Sequence, residues 1–145
     1  MKKILVLIFI LLAGCTATTT EHTENTNYKI MKVHADQDVM SLHDYSVTFN
    51  RPTITAGEEA VLEFSIMRGE EPLPLQINHG ALMHVIAVSK DLEKFYHLHP
   101  DEHAPGTLGV EHTFEEAGEY RVWIEFVNND LEHIIDYDIS VTEAK

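Results

Sequence analysis

The chain is poor in cysteine and in positive charge. Only Cys15 carries a thiol among 145 residues. An intramolecular disulfide is excluded, and so are zinc ribbons, CxxC redox centres and Cys-ligated clusters. Ten Lys and Arg stand against 24 Asp and Glu, a net charge of −14. That balance excludes nucleic acid as a partner, because binding it needs a basic face to replace phosphate counterions. No GxSxG, HExxH, P-loop or GxGxxG motif is present. No stretch of helical period exceeds about two turns, so a helical layer is not expected. What the chain does have is histidine. There are ten, each a potential metal ligand. At about 100–200 residues per domain, the length fits one domain that folds without covalent staples.

The first segment reads as a leader. Lys2 and Lys3 precede an unbroken apolar run of nine residues, 4–12. That suits a secretory signal and is too short to span a bilayer as a helix. Leu12-Ala13-Gly14-Cys15 follows and resembles the lipobox of bacterial lipoproteins. The resemblance implies cleavage after residue 14 and a lipid on the Cys15 thiol. Two acyl chains, such as a diacylglyceryl group carries, are enough for stable anchoring. Losing residues 1–14 removes two lysines and no acid, so the remainder is still more acidic. An anionic membrane would repel it, and the lipid alone would hold it there. Residues 16–27 contain six threonines and no large apolar side chain, which predicts a disordered tether with His22 in solvent. The expected organisation is a leader over 1–14, lipidated cysteine and tether over 15–27, and a folded domain over 28–145.

Within 28–145, short alternating or apolar runs separated by turn residues predict strands at 45–49, 60–67, 82–89, 94–99, 107–114, 119–127 and 134–142. Residues 28–33 would add an eighth. Seven or eight short strands at this spacing predict an all-β, immunoglobulin-like β-sandwich; a small closed barrel is the alternative. In the 119–127 strand, Tyr120, Val122, Ile124 and Phe126 share the core face, leaving Arg121, Trp123 and Glu125 on the other. Trp123 reads as a rim or inter-strand contact.

Histidine clusters in one place. His97 and His99, two apart on a strand, face the same way at about 6.6–7 Å along the chain and can converge on one ion. A four-residue hairpin loop at 90–93 would oppose Ser89 to Lys94, Val88 to Phe95, Ile86 to His97 and His84 to His99. That shared face would run from apolar at the turn to imidazole at the open end, suiting a half-buried site at the mouth of the sandwich. A one-residue slip would send His84 to the opposite face. His79, His103 and Met83 are further candidate ligands, although alternation turns Met83 away from His84. His34, His43, His112 and His133 have no second ligand spaced near them and read as hydrogen-bonded structural residues.

The run Leu82-Met83-His84-Val85-Ile86-Ala87-Val88-Ser89-Lys90-Asp91-Leu92, with Phe95, His97-Leu98-His99-Pro100, Gly109, Thr113-Phe114 and Ala117-Gly118-Glu119-Tyr120-Arg121, resembles small secreted or lipid-anchored bacterial domains related to the YtkA-like family. The resemblance covers most of 45–127. It departs after Val127, where Asn128-Asn129-Asp130 stands in place of a Pro/Gly-type turn. It implies an immunoglobulin-like fold outside the cytoplasm, an association with copper or other heavy-metal handling, and ligand roles for His84, His97 and His99.

Without a second cysteine, a His₂Cys blue-copper site cannot form. Imidazole alone suits Cu(II) and Zn(II), and added thioether would favour Cu(I). The resemblance favours copper over zinc. The sequence therefore reads as a non-catalytic, membrane-anchored domain. It would bind a transition metal through His84, His97 and His99 and work with an envelope metalloprotein or metal transporter. The alternative is a metal-free immunoglobulin-like interaction or assembly module.

Overall fold

The computed structural model describes the backbone of residues 29–34 and 39–42 and all of residues 44–145. The expected leader, Cys15, the tether with His22, and His43 lie outside the described residues, as does the side chain of His34. Twelve strands and no helix are present among the described residues: β1 (Lys29–His34), β2 (Val39–Leu42), β3 (Tyr45–Asn50), β4 (Ile54–Thr55), β5 (Glu59–Arg68), β6 (Glu71–Pro72), β7 (Met83–Ser89), β8 (Phe95–Leu98), β9 (Asp101–Ala104), β10 (Thr107–Thr113), β11 (Gly118–Asn128) and β12 (Leu131–Thr142). The eight expected strands are all among them. The additional four, β2, β4, β6 and β9, are pieces of two to four residues.

The strands form two sheets. One has the order β1-β12-β11-β7-β8, with β4 also against β12; the other has the order β2-β3-β5-β10-β9, with β6 against β5. Alternation builds the core between them. Val47, Phe49, Leu62, Phe64, Ile66 and Leu108 from the second sheet meet Met83, Val85, Ala87, Val122, Ile124, Phe126, Ile135 and Tyr137 from the first, all buried. Aromatic rings pack within and between the layers. Phe49 stacks on Phe64 at 4.6 Å between centroids and meets Tyr137 edge-on at 5.3 Å, and Tyr45 meets Phe126 at 6.2 Å. The fold is the expected all-β sandwich.

The long β11–β12 hairpin turns at Asn129 and Asp130, both with positive φ (51° and 58°). Two left-handed residues give the turn whose twist matches a two-residue hairpin, and Asn and Asp tolerate that region. The absent Pro or Gly is thus no interruption. The segment 73–82 lies as a strap against the turn end of this hairpin. Asn128 Nδ2 donates to the Pro74 carbonyl at 2.6 Å, and the Gln76 amide donates to the Val127 carbonyl at 2.8 Å. Gln76 also exchanges side-chain bonds with Asp130.

Candidate metal centre

The β7–β8 hairpin pairs Val88 with Phe95, Ala87 with Tyr96, Ile86 with His97 and Val85 with Leu98. The Ser89 amide donates to the Lys94 carbonyl at 3.1 Å, closing the loop 90–93. Asp91 fastens the loop. It accepts from the Ser89 hydroxyl and the Glu93 amide, which hold its carboxyl below the usual carboxylate range. Met83, Val85 and Ala87 take the inward face of β7, so His84, Ile86 and Val88 point outward. The histidines therefore sit on the outer face of the first sheet, at its β8 edge. They are not in the mouth between the sheets, because the inward face is filled by apolar side chains.

His84, His97 and His99 come together there, each offering one ring nitrogen, all within 4.8 Å of one another. Ring centroids are 5.3 Å apart for His84–His97, 4.7 Å for His84–His99 and 4.8 Å for His97–His99. Imidazoles sharing one four-coordinate ion at about 2.0–2.1 Å per bond have centroids roughly 5 Å apart. All three separations fit, so the cluster can hold one metal ion with only small side-chain rotations. His84 is 6% exposed, whereas His97 and His99 are exposed. One ligand is thus fixed by packing and two are free to adjust.

The surroundings orient the buried ligand. His84 Nε2 lies 2.9 Å from the Asn78 carbonyl, and Nδ1 lies 3.1 Å from His97 Nε2. A carbonyl only accepts, so Nε2 carries the proton and Nδ1 presents its lone pair toward His97. This is the arrangement by which a ligating histidine is usually held, its second nitrogen donating to a carbonyl. Asn78 is itself held, its Nδ2 donating to Glu125 Oε1 at 3.3 Å. Glu125 is the β11 partner of His84. Glu125 and Glu132 share a depression of about 300 Å³ with His79, His84, Ile86 and His97. Two carboxylates beside the imidazoles favour a cation there.

The other candidates fall elsewhere. Met83 is fully buried in the core. His103 Nε2 pairs with Glu63 Oε2 at 3.0 Å on the second sheet; with Asn50 it keeps the Glu63 carboxyl below its ordinary value. His112 packs against Tyr96 and Phe114, and His133 against Phe126 and Tyr45. His79 lies beside the cluster, its ring centroid 6.3 Å from that of His84. Trp123 pairs across the outer face with Ile86 and Asp136 and is half-buried, an inter-strand contact. Asn78 and Glu125 are not visible from sequence as parts of the site. Alternation places Glu125 on the outer face, but its position opposite His84 depends on the β7–β11 register.

Residues 38–143 match the family described as Domain of unknown function (DUF8832). The chain belongs to this family. No curated protein matches it. Two solved chains do, both named superoxide reductase (neelaredoxin) from Ignicoccus hospitalis, one of them a substituted form. The substituted form is 8% identical with a TM-score of 0.42, covering 68% of this DUF8832 chain and 79% of its own. The other is 10% identical with a TM-score of 0.37, covering 70% and 81%. The expectation of a non-catalytic protein is corrected by these matches, since both neighbours bear an enzyme's name. At such identity and TM-score the likeness carries no argument about a reaction.

Proposed function

We propose that this DUF8832 protein is a lipid-anchored, extracytoplasmic domain that binds a transition metal, copper in preference to zinc, through His84, His97 and His99, in metal handling or delivery. The observation that carries the reading is the convergence of three imidazole nitrogens within 4.8 Å on one sheet face. The Asn78 carbonyl supports it by leaving Nδ1 of His84 as the free donor. A nitrogen-only set suits Cu(II) or Zn(II), and Met83, pointing into the core, supplies no thioether toward Cu(I). The preference for copper rests on the affinity order of divalent metals and on the YtkA-like resemblance. The anchor rests on the lipobox resemblance at residues 12–15. An envelope metalloprotein or metal transporter is the partner class for such an anchored ligand set.

Titration of the purified protein with Cu(I), Cu(II) and Zn(II), against a variant with all three histidines replaced by alanine, tests the site. Cu(II) should bind tighter than micromolar to the wild type and not to the variant. Equal binding by the variant would move the site, and no binding to the wild type would leave the metal-free interaction module. For the anchor, a fatty-acid analogue should label the protein in cells, and Cys15→Ser should abolish the label; persistent labelling would reject the lipobox.

A further inference from the structure

We infer that His79 is a fourth ligand of the same centre, delivered by the turn 78–81, so that the metal is held by four imidazoles. This rests on the three-histidine reading above and adds a donor to it.

The fourth position has a direction. The side of the His84–His97 pair that faces the depression is lined by His79, Glu125 and Glu132. His99 borders a different hollow, with Asp101, His103 and Glu111. A ligand completing the centre from the depression must come from the first group. Glu125 Oε1 is engaged by Asn78 Nδ2, which holds that carboxylate to the strap. Of His79 and Glu132, His79 is the one that offers an imidazole like the other three ligands, and it already lines the depression.

The distance from His79 to the buried ligand is short. Its ring centroid is 6.3 Å from that of His84, against roughly 5 Å for imidazoles sharing a four-coordinate ion. Closing the gap to His84 takes a movement of at least about 1 Å, and rotation of the exposed His79 side chain must bring it toward His97 and His99 as well. The turn can supply the movement. Asn78 and Ala81 bond to each other through both amides, with His79 (φ 46°) and Gly80 (φ 89°) at its tip. Asn-Gly is the usual occupant of two left-handed positions, and here an imidazole replaces the amide at the first. The same turn carries the carbonyl that orients His84. One short element thus sets the donor atom of one ligand and carries another.

The test uses His79→Asn, because asparagine keeps the left-handed backbone and removes the imidazole. Zn(II) affinity by calorimetry and the electron paramagnetic resonance spectrum of the Cu(II) form are compared for wild type, His79→Asn and His84→Ala. Far-ultraviolet circular dichroism checks that each is folded. The expected result is at least about a tenfold weakening of Zn(II) binding in His79→Asn, with a changed copper hyperfine pattern and an unaltered fold. If wild type binds both metals, His84→Ala loses them, and His79→Asn matches wild type in affinity and spectrum, His79 is not a ligand while the three-histidine centre stands. If wild type binds neither metal, both readings fall together.

Discussion

The histidines of this protein divide by what surrounds each ring. His133 is 2% exposed, and its Nδ1 lies 2.5 Å from the Tyr45 hydroxyl. Burial keeps that hydroxyl protonated well above its ordinary range, so the hydroxyl donates and the neutral imidazole accepts. Burial also holds the His133 pKa below 6.5, and does the same at His112 against the opposing charge of Glu115. For both, the unfolded chain takes up a proton at a higher pH than the folded one. Their contribution is therefore fully present above about pH 6.5 and is lost as pH falls from there through the depressed folded values. His112 Nε2 is buried with no hydrogen-bond partner, so an apolar ring there forfeits no bond. His112→Phe, measured by urea unfolding with a chelator present, should be no less stable than wild type at pH 7.5. Its advantage should widen toward pH 5.5. A difference that stays constant with pH would show that His112 is not held neutral by the fold. Falling self-repulsion among 24 acidic side chains acts on both proteins alike and cancels in the comparison.

At the scale of the element, turns decide which strands meet, and some turns are more constrained than others. Gly106, in the β9–β10 turn, has φ 73°, and a Cβ there would lie 2.7 Å from Met67 Sδ, 2.9 Å from Pro72 Cβ and 3.0 Å from the Ile66 carbonyl. Its own carbonyl accepts from the Ile66 amide at 2.7 Å, so the turn cannot simply lift away. Gly106→Ala should cost about 1–3 kcal/mol, from left-handed strain and overpacking together. Gly57→Ala, with open space around a similar φ, should cost only the strain. Equal urea midpoints for the two variants would remove the packing contribution. The β7–β8 hairpin was legible in the sequence because the apolar run and Pro100 bound two strands, and a common four-residue loop gives the register observed; the run itself, apolar on both faces, did not exclude a slip. β9 was not, since all four of its residues are exposed and carry no alternation to read. The strap 73–82 was equally silent. Its place is set by a hydrogen bond from the Asn128 side chain and one to the Val127 carbonyl, residues some fifty positions later. For that reason three ligands could be named from local spacing, while Asn78 and Glu125, which position one of them, could not.

Across the whole molecule, the candidate centre lies at one edge of a sheet. It joins β7 to the edge strand β8, with the strap's Asn78 carbonyl bonded to His84, whereas β3 and β5 hold the opposite sheet through buried aromatic contacts remote from any histidine of the cluster. A ligand that binds only the folded state stabilises by mass action, about 2.7 kcal/mol at a hundredfold excess over its dissociation constant. That increment should not be felt evenly. Local openings of an edge strand and a strap normally cost less than global unfolding, so these segments exchange amide hydrogens through their own openings. A metal shared by His84, His97 and His99 makes each opening of β8 break a coordinate bond, and an opening of the strap breaks one only where His79 also ligates. Hydrogen exchange should therefore slow most in β8 on addition of Cu(II), and in 73–82 as well if His79 is a ligand. Amides of β3 and β5, interior strands of the other sheet, should slow by no more than the global increment allows. Acidification should erase the effect as protons compete for the imidazoles. His84→Ala should erase it at every pH, because it removes the one ligand fixed by burial. Protection that rises uniformly, or that persists in His84→Ala, would place the bound metal away from this edge.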